Sequence, residues 1–173
     1  MPPKGVRPTQ DRVREALFAI LGRRVRGARF LDLCAGSGAV GLEAWSRGAD
    51  FVCWVENDRR VFHILRENVR ACCDERIRLV LADAGTVLRP GFSEAPFDLV
   101  YADPPYAVRP CGERPGLVEM LFHALRGEAI MAGDGILILE QASAGPAPSP
   151  PGWALAQERV YGRSRLCFFH KER

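Results

Sequence analysis

Apolar and polar positions along the chain change period several times, and each change marks an element. Val13, Ala16, Leu17, Ile20 and Leu21 fall at i, i+3, i+4, i+7 and i+8, the stripe of an amphipathic helix. Thr9-Gln10-Asp11 offers capping oxygens ahead of it, and Gly22 ends it. Arg12 and Arg14 lie off the stripe, where they can face a partner. Continuous apolar runs then take over. Residues 30–34, 51–55 closing on Glu56, 77–81, 97–102 and 135–140 read as strands, because a strand covered on both faces shows no polar alternation. Helices are predicted between them over 39–46, from a cap at Asp58 to about Cys72, and over 117–126. Past Glu140 the pattern changes to a Pro/Ala/Ser/Gly loop over 142–152. Two strands follow, 153–161 and about 166–170, joined at Gly162 as an antiparallel hairpin. The whole predicts an α/β fold with a mostly parallel, seven-stranded sheet covered on both faces and ending in that hairpin.

Composition narrows the picture. At 173 residues and 47% hydrophobic content the expectation is one domain, 1–173, with a basic amino-terminal segment and helix over 1–28 and a catalytic α/β core over 29–173. No apolar run reaches membrane-spanning length and no export signal is evident, so the expected location is the cytoplasm. Six cysteines lie without a CxxC pair or a neighbouring His pattern, which argues against zinc and against disulfides; no metal is expected. His63, His123 and His170 show no triad or metal spacing.

Charge is distributed unevenly. Residues 1–29 carry eight Lys/Arg against two Asp/Glu, and residues 158–173 carry five against two, so an acidic middle lies between basic ends within a total of +3. Such a chain suits a polar or cationic ligand at its centre and a polyanion at its termini.

The first strand leads into Asp32-Leu33-Cys34-Ala35-Gly36-Ser37-Gly38-Ala39-Val40-Gly41, a GxGxxG turn at a helix start, with Glu56 ending the next strand. That arrangement binds the sugar edge of a nucleoside: glycines admit a ligand close to the backbone, and a strand-end acid accepts ribose hydroxyls. It fits a dinucleotide and S-adenosylmethionine alike. Asp32 separates them, since a carboxylate there repels a pyrophosphate but suits the ammonium of a methionine moiety. Asp83, with Ala84 beside it, fits the exocyclic amine of adenine or, equally, a helix cap before Gly85-Thr86.

Asp103-Pro104-Pro105-Tyr106 follows the fourth strand, at the edge where α/β sheets keep their ligands. The prolines fix φ and remove two donors, leaving carbonyls free. Asp103 and the Pro104 carbonyl can accept the two protons of a planar amine while Tyr106 stacks on its ring. Glu140, at a strand end on the same crevice edge, reads as structural. Recognition of a polyanion falls to the basic amino terminus, the loop after Tyr106 and the hairpin with Arg163 and Arg165.

The set Arg7-Pro8-Thr9, Asp11-Arg12-Val13-Arg14-Glu15-Ala16-Leu17-Phe18, residues 32–43, Glu56-Asn57-Asp58, Asp103-Pro104-Pro105-Tyr106 and Tyr161-Gly162-x-Ser164-x-Leu166 resembles the RsmD family of bacterial rRNA methyltransferases over nearly the whole chain. The resemblance implies a Rossmann-like class I fold. It implies S-adenosylmethionine as donor, leaving as S-adenosylhomocysteine, and the exocyclic N2 of a guanine in 16S small-subunit rRNA as acceptor. Asp103, Pro104 and Tyr106 are then catalytic, and Asp32, Gly36, Gly38, Glu56, Asn57, Asp83 and Ala84 bind the cofactor. Arg7, Arg12, Arg109, Arg114 and Arg163 meet the RNA, expected within a small-subunit particle or assembly intermediate, and the protein is expected to act as a monomer. Family members generally carry a basic, glycine-rich segment before Arg-Pro-Thr where this chain has only residues 1–6, so weaker RNA docking is expected, with catalysis intact. The alternative is an N6-adenine methyltransferase acting on DNA or RNA. A more distant one is an NAD(P)-dependent oxidoreductase. A vestigial RNA-binding or assembly protein sits poorly with intact Asp32, Glu56 and Asp103.

Overall fold

The structure, a computed structural model, describes residues 8–73, 75–89, 91–104, 116–127 and 129–172. Seven strands form one sheet in the order β3-β2-β1-β4-β5-β7-β6. β1 (Arg29–Leu33), β2 (Phe51–Glu56), β3 (Ile77–Leu81), β4 (Phe97–Ala102) and β5 (Met131–Ala142) pair in parallel, and β6 (Trp153–Tyr161) and β7 (Ser164–Lys171) add an antiparallel hairpin to the β5 edge. The apolar runs of β1, β2 and β4 are nearly fully buried because helices cover both faces. On one face α1 (Pro8–Leu21), α2 (Ala39–Ser46) and α3 (Arg59–Cys72) pack Leu17, Phe18, Ala44 and Leu65 against Phe30, Trp54 and Ile138. On the other, α4 (Ala84–Val87) and α5 (Leu117–Leu125) pack Val87, Leu121 and Leu125 against Leu31, Val100 and Leu137.

The expected elements are present, with differences that have local causes. β1 stops at Leu33 because Cys34 takes a left-handed φ of 61° and leaves the ladder. Asp11 does not cap α1: it lies inside the helix and pairs with Arg14 at 3.0 Å. After Leu21 the chain continues as a 3-10 turn over Gly22–Val25. β5 starts four residues earlier than expected, with a register shift against β4 between Phe97 and Leu99. The cap at Asp58 is present, its carboxylate accepting from the N–H groups of Arg60 at 2.7 Å and Val61 at 3.1 Å. The hairpin turns at Gly162, φ 59°, with Tyr161 paired to Ser164.

Gly38 and Gly41 have packing reasons. A Cβ on Gly38 would come within 2.4 Å of Leu65, and one on Gly41 within 2.1 Å of the Trp54 indole nitrogen. Trp54 is fully buried and donates its indole N–H to the Gly38 carbonyl at 3.2 Å. These glycines let α2 lie against β2. Replacing Gly41 with Ala should therefore destabilise the protein by about 1–3 kcal/mol through overpacking, measured as a lower urea midpoint with an unchanged slope.

Candidate active site

β1 has β2 on one side and β4 on the other, so successive connections leave its carboxyl end in opposite directions. A crevice opens at such a switch point. Here it is a cavity of about 400 Å³, between α1 and the carboxyl ends of β1, β4 and β5. Strand alternation aims one set of side chains at it. Asp32 is register partner of Tyr101, and Ala102 is partner of Leu139, so Asp103 and Glu140 follow on neighbouring strands. Asp32, Tyr101, Asp103 and Glu140 all line the cavity, and Asp11, Arg14 and Gly36 close it from α1 and the glycine turn.

The site is acidic and sparsely neutralised. Asp32 is 1% exposed. Its Oδ2 accepts the Gly41 N–H at 2.9 Å, yet burial, with smaller contributions from Asp103 and Glu56, raises its pKa well above the usual carboxylate range. Burial and then the Glu140 charge push Asp103 up to about 7. The Tyr101 hydroxyl donates to Glu140 Oε2 at 2.7 Å, and burial and that carboxylate raise the phenol pKa. Burial and Glu56 push the Cys34 thiol up to about 12. Arg14 is the one cationic side chain among the described residues lining the cavity, and it shares its charge between Asp11 at 3.0 Å and Glu43 at 3.8 Å.

The expected site residues fall into distinct groups. Asp32, Gly36 and Asp103 meet at the cavity, and Pro104 is buried beside Asp103. Gly36 has a φ of 56°, and a Cβ there would meet nothing within 4 Å, so its open side faces space a ligand can enter. Gly38 is occupied by packing. Glu56, buried at the end of β2, accepts from Gly36 N–H at 2.9 Å through Oε2 and from the N–H groups of Asn57 and Asp58 through Oε1. It therefore first clamps the glycine turn to β2, and what remains for a ribose is lone-pair capacity beyond those bonds. Asn57 is exposed. Asp83 caps α4 by accepting the Gly85 N–H at 2.8 Å, and Ala84 is buried behind it.

Arg12 and Arg163 are exposed. Arg7, Tyr106, Arg109 and Arg114 lie outside the described residues. Arg165 is not a surface cation: it is 7% exposed, pairs with Glu158 at 2.7 Å and donates to the Ser143 carbonyl at 3.0 Å. Nor do the described basic residues up to Arg29 form one patch. Arg23, Arg24 and Arg26 precede β1 and so lie at the edge of the sheet opposite the cavity. The Arg29 guanidinium donates to the Pro96 and Glu94 carbonyls and covers the Phe51 ring at 4.5 Å. Sequence reasoning passed over Tyr101 and assigned Glu140 to structure. The usable signal was period two, which puts Tyr101 on the same strand face as Asp103.

Among the described residues no group of three or more His, Cys, Asp or Glu could hold a metal ion, and no helix is long and apolar enough to cross a membrane. An open parallel sheet of this order with a reversed hairpin at its edge, a glycine turn after β1 and an acidic strand-end crevice define the class, a Rossmann-like methyltransferase. Comparison with known proteins gives the family. The family model described as Conserved hypothetical protein 95 matches residues 1–170. Ribosomal RNA small subunit methyltransferase D of Escherichia coli is 34% identical over 97% of this chain and 81% of its own length, and its Haemophilus influenzae counterpart is 30% identical over 92% and 80%. The solved structure of a methyltransferase from Escherichia coli, also 34% identical, superposes with a TM-score of 0.82 over 98% of this chain and 90% of that one. The chain belongs to this family, the RsmD group.

Asp103 offers a direct test of the electrostatics. A carboxyl whose folded pKa is raised binds its proton more tightly in the folded state, so it costs stability as pH rises from about 4, its unfolded value, through its folded value of about 7. Asp103→Asn should raise the melting temperature above that of the parent, with a gap that widens over this window and stays level above it. Melting curves across pH check this; a gap independent of pH would contradict it.

Proposed function

We propose that the protein transfers a methyl group from S-adenosylmethionine to the exocyclic N2 of a guanine in small-subunit rRNA. The observation that carries the reading is Asp103, a partly buried carboxylate at the end of β4, beside Pro104 in the acidic cavity. Membership of a family whose relatives are named ribosomal RNA small subunit methyltransferase D supports the substrate class. The choice of guanine N2 follows the motif resemblance.

The residues fit the donor. Its ammonium and sulfonium are cations, and the cavity presents Asp32 and Asp103 with little competing positive charge. Arrival of a cation favours the ionised form of both acids, which reverses part of their burial penalty. Arg14 is placed to meet the methionine carboxylate, Gly36 lets the ligand lie against the backbone, and Glu56 and Asp83 stand at the β2 and β3 ends for the nucleoside. When bound, the donor supplies an electrophilic methyl carbon and a neutral thioether leaving group.

The chain's own task is to orient the amine. A guanine amino group is a poor nucleophile because its lone pair is delocalised into the ring. Asp103 and the Pro104 carbonyl accept its two protons, favour a pyramidal nitrogen and aim the lone pair at the methyl carbon. Positive charge grows on that nitrogen during transfer, ionised Asp103 stabilises it, and the proton the nitrogen then sheds passes to that carboxylate and on to solvent. Tyr106 supplies a stacking face for the flipped base, worth roughly 1–3 kcal/mol.

Transfer of tritiated methyl to small-subunit particles, followed by nucleoside analysis, tests the reading. N2-methylguanosine is expected; N6-methyladenosine would overturn the choice of base. Asp103→Ala should lower turnover about a hundredfold or more while S-adenosylhomocysteine affinity changes little. Because Asp103 stabilises the growing positive charge only when ionised, wild-type kcat/KM, which reports the ligand-free enzyme, should rise with pH up to about 7, and this limb should be missing in Asp103→Ala.

A further inference from the structure

We propose that Glu140 selects the base: its Oε1 accepts the N1–H of the target guanine while Asp103 takes the amine beside it. The inference rests on the methyl-transfer reading above and adds the atom that sets its base specificity.

Sheet geometry places the two acids together. Ala102 pairs with Leu139, so Asp103 and Glu140 leave neighbouring parallel strands side by side, with backbones roughly 5 Å apart. Glu140 is 8% exposed and lines the cavity. Tyr101, two residues before Asp103 and itself buried, donates to Glu140 Oε2 at 2.7 Å. That bond fixes the carboxylate and uses one of its oxygens. Oε1 accepts no hydrogen bond from any described residue, and because the side chain lines the cavity a ligand's N–H can reach it. Arg14 lines the same cavity but is paired with Asp11. The site thus holds an immobilised acceptor with no donor among the described residues, next to the acceptor assigned to the amine.

Guanine supplies the complement. Its Watson–Crick edge presents N1–H and N2–H as adjacent donors, which match two adjacent carboxylates. Adenine presents a lone pair at N1, which an ionised Glu140 repels. The Tyr101–Glu140 pair therefore rejects adenine by charge as well as by a missing bond, where Asp103 alone would accept either amine.

The test replaces the target nucleotide. Wild-type enzyme is first assayed on small-subunit particles; absence of N2-methylguanosine there overturns the methyl-transfer reading and this inference with it. Particles are then assembled on rRNA carrying guanosine or 2-aminopurine riboside at the methylated position, the latter keeping the 2-amino group but lacking N1–H. Wild type should favour guanosine by roughly ten- to a hundredfold in kcat/KM, the scale of a hydrogen bond to a charged group. Glu140→Gln keeps a carbonyl for the Tyr101 hydroxyl and gains an amide donor, so the preference should collapse or invert while S-adenosylhomocysteine affinity is unchanged. Equal use of both bases by wild type overturns the inference whatever the variant does. So does an equal loss on both bases in Glu140→Gln, the result of a structural role alone, and the methyl-transfer reading would survive either outcome.

Discussion

The hydrogen bond from the Gly41 N–H to Asp32 Oδ2 joins the end of β1 to the first turn of α2, and the rest of the site depends on it. It holds a carboxylate at 1% exposure with no neutralising partner among the described residues. It also draws α2 toward the sheet, and the absence of a Cβ at Gly41 lets the Trp54 indole fill the space. Glu56 completes the brace from the other side through Gly36 N–H. Two acids thus hold the glycine turn open at Gly36 and packed at Gly38 and Gly41. One short motif thereby serves two purposes that the sequence alone does not distinguish.

The fold was largely legible because its signals are local and strong. Continuous apolar runs, a cap at Asp58 and a turn at Gly162 each have one physical explanation, and the elements lie where those explanations put them. The errors lie where tertiary context overrides local chemistry. Asp11 carries the right oxygens for a cap but is claimed by Arg14 within the helix. Cys34 is apolar and follows a strand, yet the turn toward Gly36 forces it into a left-handed conformation.

The site was legible in part. Asp32, Gly36 and Asp103 could be found because each lies at or shortly after a recognisable strand end. Tyr101 and Glu140 could not be weighed, since their significance lies in the pairing of β4 with β5, a relation between segments nearly forty residues apart. Charge counting misled in a similar way. Arg23, Arg24, Arg26, Arg29 and Arg165 raise the basic total at the two ends of the chain, but topology sends three to the far edge of the sheet, and hydrogen bonds and an ion pair commit the other two.

Burial, with the acidic lining, also governs Cys34. This thiol lies on the cavity wall, and its titration at about 12 keeps it almost wholly protonated near neutrality. Sulfur attacks alkylating agents as the thiolate. On the proposed reading the pocket receives a methyl sulfonium, and an ionised thiol on its wall would be a nucleophile facing that reagent. Burial, reinforced by the carboxylates that suit the site to a cation, thus also suppresses self-alkylation, and a reactive element can form an inert part of the wall.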